Sequence, residues 1–339
     1  MKPENLNSFN TLSNLVGRGT NLVVQITRMD FDSNTYVSEL WKRTNGVWKK
    51  FKSGDHNFSN PKFGSKPNTI YYVKTNRAVQ DKSKSKKTLS GIYVQIGKSI
   101  KQVFEIEGSV NNYSLSKDEK FMYINTSEWS EEFENIEKKD AEPMYYENLP
   151  FRFDTKGIIY NKRGHVYKIN LKTLKFNKIV DGDKSNIISI DSLVEGKKGI
   201  AIAYNQYNSK GTMLEEKIGT LEGWKIKDIF SKGSMGNLFY YEDDLYGVGL
   251  RNRFDWPTNT NILKISKTGK VSFKYHLLDR NVVKADVNDS KLYFLYEDSG
   301  KTLLRDATNN VDLVNQEITI KDFAFNEDKI YVRQYEWME

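Results

Sequence analysis

The sequence of 339 residues contains no cysteine, only six prolines and only three histidines. Without cysteine the chain has no disulfide, no thiolate nucleophile and no cysteine-ligated zinc, and this composition fits a reducing compartment. No run of about 18 apolar residues occurs, and the first residues lack the apolar centre of a signal peptide. These absences predict a cytoplasmic protein without a membrane association.

The charge balance is moderately basic, with 52 lysines and arginines against 44 acidic residues and a net charge of +8. The densest basic run, Lys82 to Lys87, contains no aromatic residue. Nucleic-acid sites combine basic and stacking side chains on one surface, so we interpret this run as a solvated hairpin tip. The sequence therefore predicts no nucleic-acid partner.

Hydrophobic residues make up 38% of the chain and aromatic residues 13%, which is enough apolar material for a core. A short apolar strand, a turn and a tyrosine-rich strand recur roughly every 40 to 50 residues, a period typical of propeller blades. Copies of this unit are Pro61–Val73, Tyr113–Ile124 and Asp322–Val332. The predicted fold is an all-β, seven-bladed β-propeller that occupies residues 1–339 as a single domain.

Two segments depart from this repeat. The seventh unit has only two strands, Ile320–Phe325 and Lys329–Tyr335, so the last blade is either incomplete or closed by the N-terminal segment. Residues 1–20 are accordingly predicted to be a lead segment or a closing strand. Residues 128–148 are predicted to be an inserted acidic loop or short helix that projects into solvent, because Glu128–Asp140 holds six acids and two lysines.

Catalytic and metal chemistry find little support in the sequence. None of His56, His165 and His276 has metal-ligand spacing or a serine in a nucleophile-elbow context, and no Gly-x-Ser-x-Gly occurs. The adjacent acid pairs are better explained as solvated turns than as glycosidase or calcium sites; they are Glu131-Glu132, Glu215-Glu216 and Asp243-Asp244. We therefore predict no catalytic residue, no metal site and no cofactor in this chain.

The loop from Arg251 to Pro257 has the most unusual composition, because it combines cations, aromatic residues and an acid. Its candidate recognition residues are Arg251, Arg253, Asp255 and Trp256. Arginine and tryptophan side chains on a propeller face suit the recognition of a carboxylate or a peptide. The alternative is a loop held by its own Arg–Asp pair and a packed tryptophan.

One block, Leu149–Leu171, carries a family resemblance. The order Phe151-Arg152-Phe153-Asp154, then Gly157, then Lys162-Arg163-Gly164-His165-Val166-Tyr167, resembles a segment of archaeal and bacterial acylaminoacyl-peptidases of the prolyl oligopeptidase family. Residues 40–65 are similar to a blade junction of that family, although Lys66-Pro67-Asn68 replaces its usual Pro-Asp-Gly. The resemblance follows the blade order over nearly the whole chain but is specific only in the first block.

The resemblance implies a propeller that covers a serine peptidase active site and restricts entry to short peptides. In that family an α/β-hydrolase domain with a Ser-Asp-His triad follows the propeller, and this chain has no counterpart of it. We therefore expect a non-catalytic, substrate-gating domain whose partner is the missing hydrolase domain. The alternative is a self-sufficient propeller that serves as a scaffold for a peptide or protein partner.

Overall fold

The computed structural model describes residues 10–33, 35–77, 88–130, 148–149, 152–153, 157–197, 199–223, 225–255, 258–275, 280–314, 319–326 and 329–334. Nearly all of these residues form antiparallel strands, and none of the described helices is long and apolar enough to cross a membrane. The fold is therefore all-β, as the repeat predicts. The predicted lysine tip at residues 82–87, His276 and Trp256 lie outside the described residues.

The chain divides into two compact units, of which unit 1 comprises residues 1–120, 171–174 and 320–339. Its first sheet contains β1 (Asn10–Arg18), β2 (Asn21–Asp30), β3 (Thr35–Thr44) and β4 (Val47–Lys52). Its second sheet contains β5 (His56–Phe63), β6 (Thr69–Asn76), β7 (Leu89–Ile96) and β8 (Ser99–Glu107). Each sheet is a meander in which neighbours along the chain are hydrogen-bonded. Strand β9 (Ser109–Leu115) follows them.

The core of unit 1 lies between its two sheets. Val23 and Leu40 of the first sheet pack against Phe58, Ile70 and Tyr72 of the second, all of them buried. Strand β6 is buried along Thr69–Val73 because both of its faces are covered, which is why it reads as an unbroken apolar run.

Unit 2 comprises residues 121–170 and 175–319. Its strands are β10 (Phe121–Trp129), β11 (Arg152–Phe153), β12 (Gly157–Ile158), β13 (Lys162–Asn170), β14 (Phe176–Val180), β15 (Ile187–Gly196), β16 (Gly199–Tyr207), β17 (Leu214–Glu222), β18 (Lys225–Phe230), β19 (Ser234–Tyr241), β20 (Asp244–Leu250), β21 (Asn261–Ile265), β22 (Val271–Tyr275), β23 (Val282–Asn288), β24 (Lys291–Asp298), β25 (Lys301–Asp306) and β26 (Val311–Asp312). A single-turn helix, α1 (Gly182–Ser185), separates β14 from β15.

Three further meanders, β15–β18, β19–β22 and β23–β26, each contain four strands in chain order, and a fourth sheet has the order β14-β13-β10-β9. Aliphatic and aromatic side chains fill the space between successive sheets of unit 2. Phe239, Tyr246 and Ile262 of one sheet pack on Phe294 and Leu303 of the next. Such stacked four-stranded meanders are the blades of a β-propeller.

The predicted count of seven blades is wrong: the described residues form six four-stranded blades. The seventh repeat in the sequence is a two-stranded sheet of β27 (Ile320–Asn326) and β28 (Lys329–Gln334). The repeat unit is recognisable in the sequence from its first two strands alone. The pattern therefore counts β27 and β28 as a blade, although a complete blade needs two further outer strands.

The N-terminal segment joins the first blade. Residues 10–18 pair with β2 as its first strand, from Asn10 opposite Arg28 to Arg18 opposite Asn21. Strand β27 packs beside β1 without sharing its sheet. The prediction that the N-terminal segment shares a blade with the last two strands is therefore wrong for residues 10–18. Residues 1–9 lie outside the described part of the chain.

Candidate functional site: a polar pocket at the loop-bearing end of unit 2

The long connections of unit 2 emerge at one end of its sheets, which we call the loop-bearing end. In a four-stranded antiparallel meander the connection between strands two and three and the connection to the next blade leave at the same end. These connections include residues 181–186, 208–213 and 251–260. The opposite ends carry tight turns such as Glu242-Asp243, whose two positive φ angles are those of a type I′ hairpin turn.

The connection between β16 and β17 is held by its own hydrogen bonds. The backbone amide of Asn208 donates to the carbonyl of Met213 at 2.9 Å, and that of Gly211 donates back to the carbonyl of Asn208 at 2.9 Å. The side-chain oxygen of Asn208 accepts from the Thr212 amide at 2.9 Å. Gly211 has a φ of 66°, a conformation that glycine adopts without strain. This loop is therefore pre-organised.

A pocket of about 660 Å³ lies beside this loop. Its lining includes Asn148, Asn186, Gln206, Asn208, Lys210 and Glu215. The pocket is bounded by three elements: the loop itself, the residue that ends α1, and the segment around Leu149, whose amide donates to the carbonyl of Gly211 at 2.7 Å. Its volume is in the range of small-ligand sites, about 300–1,000 Å³, but its lining is polar rather than apolar.

The predicted recognition loop contacts one residue of the pocket lining, Glu215, through Arg253. Arg253 begins a short 3-10 helix, Arg253–Asp255, and its amide donates to the carbonyl of Lys232 at 3.0 Å. One guanidinium nitrogen, Nη2, lies 3.8 Å from Oε1 of Glu215, while Nη1 is buried without a hydrogen bond to any described atom. The guanidinium also lies 5.1 Å from the ring centre of Phe254.

The other three predicted residues are not gathered around Arg253 in the described structure. Arg251 is exposed, and its guanidinium stacks on Phe273 at 5.7 Å instead of facing the pocket. The side chains of Asp255 and Trp256 lie outside the described part of the chain, so the alternative of an internal Arg–Asp pair stays untested. The acidic partner that the structure gives Arg253 is Glu215 of the neighbouring blade.

Glu215 is a residue that the sequence argument missed. We predicted a solvated turn for Glu215-Glu216, but both residues lie in β17, opposite Gln206 and Asn205. Alternation of side chains along a strand sends the two carboxylates to opposite faces. The sequence signal that could have indicated a strand here is the pattern of apolar and polar residues from Leu214 to Leu221.

The two residues of the pair Asp243-Asp244 also lie in different elements. Asp243 occupies the hairpin turn, and Asp244 begins β20, where it forms an ion pair with Lys264.

A second polar cluster lies next to the pocket, around His165 of β13. This side chain is only 1% exposed, and its Nδ1 accepts the backbone amide of Gly182 at 3.0 Å. Burial, reinforced by Lys178, lowers the pKa of His165 to about 4. The imidazole is therefore neutral at pH 7, with its proton on Nε2 at 3.8 Å from Oδ2 of Asp183.

Of the residues that the structure describes, His165, Asp181 and Asp183 form the one group with the mutual spacing of metal ligands. Their surroundings do not fit a cation. Nδ1 of His165 already accepts an N–H, and Ser130 donates to Asp183 at 2.7 Å. Arg163 and Lys184 lie 3.7 and 3.3 Å from the two carboxylates. The cluster instead ties α1 to β13, and Asn186, which ends α1 in a left-handed conformation, lines the pocket.

The beginning of the predicted acidic insertion is part of a blade. Glu128 lies in β10, where it accepts hydrogen bonds from Thr126 and from Tyr167 at 3.1 Å. Burial raises the pKa of Glu128 above its usual range. The expectation that this acid projects into solvent is therefore wrong for Glu128, since hydroxyl donors compensate its partial burial. Residues 131–147 lie outside the described structure.

No protein-family model and no curated protein matches this sequence. Solved structures do match its fold. The acylaminoacyl peptidase of Pyrococcus horikoshii superimposes with a TM-score of 0.73 at 15% identity, over 97% of this chain and 50% of that one. A puromycin-hydrolyzing peptidase of Mycobacterium tuberculosis superimposes with a TM-score of 0.62 at 12% identity, over 97% and 50%.

The β-propeller domain of the Trilobed protease of Pyrococcus furiosus, described with an open velcro topology, superimposes with a TM-score of 0.63 at 14% identity. The match covers 94% of this chain and 89% of that domain. This chain thus spans about half the length of the acylaminoacyl peptidase and nearly all of an isolated propeller domain. The sequence resemblance therefore pointed to the correct fold, and the chain has the architecture of the β-propeller domain found in acylaminoacyl peptidases.

Proposed function

We propose that this chain is the non-catalytic, substrate-gating propeller of a serine peptidase similar to the acylaminoacyl peptidases. The observation that carries the proposal is the superposition of 97% of the chain on one half of such an enzyme. In peptidases of this kind the propeller pairs with an α/β-hydrolase domain. A gate needs no catalytic residue of its own, which agrees with the lack of a nucleophile-elbow motif in the sequence.

The loop-bearing end of unit 2 has the surface that such a pairing requires. Three large apolar side chains are exposed there, Leu149 (57%), Met213 (38%) and Phe254 (74%). Exposed apolar side chains that are bordered by polar groups are typical of interaction sites. We place the hydrolase contact on these three residues, and peptide recognition on the arginines of the adjoining loop, Arg251 and Arg253. The cytoplasmic location stays a prediction from the sequence.

The test is reconstitution in trans. The chain is coexpressed with each α/β-hydrolase domain of this peptidase class from the same genome, and association is measured by size-exclusion chromatography with light scattering. Turnover of acetyl-alanine p-nitroanilide is then compared with cleavage of a fluorogenic peptide of about thirty residues. We expect association to preserve turnover of the small substrate and to slow cleavage of the long one at least about tenfold, because a gate excludes by size.

Two variants make the test specific. Phe254→Glu combined with Leu149→Glu places charges in the proposed contact and is expected to abolish association. Ile96→Glu, which changes an exposed apolar residue (52%) at the end of β7 in unit 1, serves as the control. Turnover by the pure chain alone, or an unchanged ratio of long to short substrate, would contradict the proposal. Failure of every hydrolase domain to associate would favour the stand-alone scaffold.

A further inference from the structure

The pocket at the loop-bearing end contains polar groups that the fold does not use. The side chains of Asn186, Gln206, Ser209 and Lys210 line it and make no hydrogen bond or ion pair with the rest of the described structure. Asn208, in contrast, is committed to its own loop through Thr212. Gln206 is half-buried near the end of strand β16, opposite Glu215, so the strand holds its side chain at the pocket wall.

Among the described residues, the charged side chains that line the pocket all have a partner of opposite charge except for one. Glu215 faces Arg253 at 3.8 Å, and Lys217 faces Asp228 at 3.5 Å. Lys210, in the loop between β16 and β17, has no carboxylate partner among the described residues. The described lining therefore carries one cation in excess beside two unused amides.

We propose that this pocket binds an extended peptide segment that carries a carboxylate side chain. A carboxamide offers two donors and an acceptor, which is the complement of a peptide main chain, so Asn186 and Gln206 bind the backbone of the ligand. Lys210 binds its carboxylate. This inference rests on the peptide recognition in the proposed function and names the class of peptide.

The rigidity of the lining supports binding rather than mere solvation. The β16–β17 loop is closed by hydrogen bonds of Asn208 with Gly211, Thr212 and Met213. The backbone of Asn186 is fixed by the cap of α1, since its amide donates to the carbonyls of Gly182 and Asp183. The backbone of such a site needs little reordering when a ligand enters, which limits the entropic cost of binding to the ordering of side chains. Excess positive charge would make the binding sensitive to salt.

Isothermal titration calorimetry of the full chain tests the proposal with two matched probes, acetyl-Ala-Gly-Ala-Glu-amide and the same peptide with Gln in place of Glu. We expect the acidic peptide to bind on the order of tenfold more tightly in 50 mM salt. In Lys210→Ala this preference should disappear. Gln206→Ala should weaken both peptides alike, and Lys225→Ala, at the far end of the same blade, should behave as the unchanged protein.

Circular dichroism and thermal melts of each variant identify any that fails to fold, and Lys210 and Lys225 are both exposed, so their loss leaves the core intact. Equal affinities for the two probes, absence of binding, or an unchanged preference in Lys210→Ala would each overturn the proposal. The reconstitution experiment is read separately. Hydrolase association with size selection but no binding of either probe refutes only the peptide site, and the reverse result refutes only the gating role.

Discussion

The backbone amide of Gly182 donates a hydrogen bond to Nδ1 of His165, and the two residues belong to different elements of the same blade region. A Cβ on Gly182 would lie 2.3 Å from the carbonyl oxygen of Gly164, so only glycine lets α1 approach β13 this closely. The contact fixes the helix whose last residue, Asn186, lines the pocket. A buried histidine thus positions a surface site without belonging to it.

Protonation of His165 should destabilise the protein in mild acid. Its pKa of about 4 lies below the ordinary value of 6.5, so the unfolded chain binds the proton more tightly between these values. Above pH 6.5 His165 is neutral in both states and its titration costs no stability. As the pH falls from 6.5 toward 4, the free energy of unfolding decreases by on the order of 3 kcal/mol. Urea denaturation at pH 7, 5.5 and 4.5 measures the loss. His165→Gln should remove most of this pH dependence, whereas His56→Gln should retain it; equal slopes in both variants would contradict the assignment.

Gly182→Ala should destabilise the protein by about 1–3 kcal/mol, the usual cost of forcing extra volume into a packed contact. The obstructing atom is a backbone oxygen, which cannot move aside as a side chain would. Gly236→Ala is the matched control, because no atom lies within 4 Å of its added Cβ. Thermal or urea denaturation of both variants checks the difference, and equal stability of the two would show that α1 is free to shift.

Asp312→Asn should cost about 1–3 kcal/mol, because Arg305 binds the carboxylate in bidentate fashion at 2.8 and 3.0 Å. The hydroxyl of Tyr296 donates to the same carboxylate at 3.0 Å. The hydrogen bonds from Arg305 lower the pKa of Asp312, so this stability is present above the ordinary aspartate pKa and is lost as the pH falls below it.

The control for Asp312→Asn is Asp243→Asn, which removes the exposed ion pair between Asp243 and Lys197 at 3.0 Å. Both of its partners are at least half exposed, and such pairs contribute about 0–1 kcal/mol. Denaturant midpoints of the two variants are compared at pH 7 in the same salt. A loss in Asp243→Asn as large as that in Asp312→Asn would contradict the argument.

Asn208→Ala should loosen the loop that borders the pocket. The Thr212 amide loses its acceptor, so its hydrogen exchange should accelerate by roughly three- to tenfold, the equivalent of one neutral hydrogen bond. Asn208→Asp keeps an acceptor oxygen and should leave the exchange of this amide close to that of the unchanged protein. Exchange followed by NMR measures both, and unchanged protection in Asn208→Ala would show that the backbone bonds alone hold the loop.

The sequence determined the fold class, because the repeated pair of an apolar strand and a tyrosine-rich strand leaves its central strands buried on both faces. Strand β6 illustrates this: Thr69 to Val73 is apolar without a break apart from its threonine, and every residue is buried. The blade count could not be obtained in this way. A repeat is recognised from two strands, but a blade needs four, and β27 and β28 pair only with each other within the described residues.

The candidate site depended on tertiary structure. The sequence singled out Arg253 from the composition of its loop, yet its partner Glu215 lies 38 positions earlier in β17 of the preceding blade. His165 meets Gly182 only because α1 folds back onto β13. Local composition specifies strands and turns through short-range sterics and hydrophobic periodicity. The contact between Arg253 and Glu215, and the meeting of Asn186 and Gln206 at one pocket, are set by the packing of whole elements, and no short window of sequence contains that information.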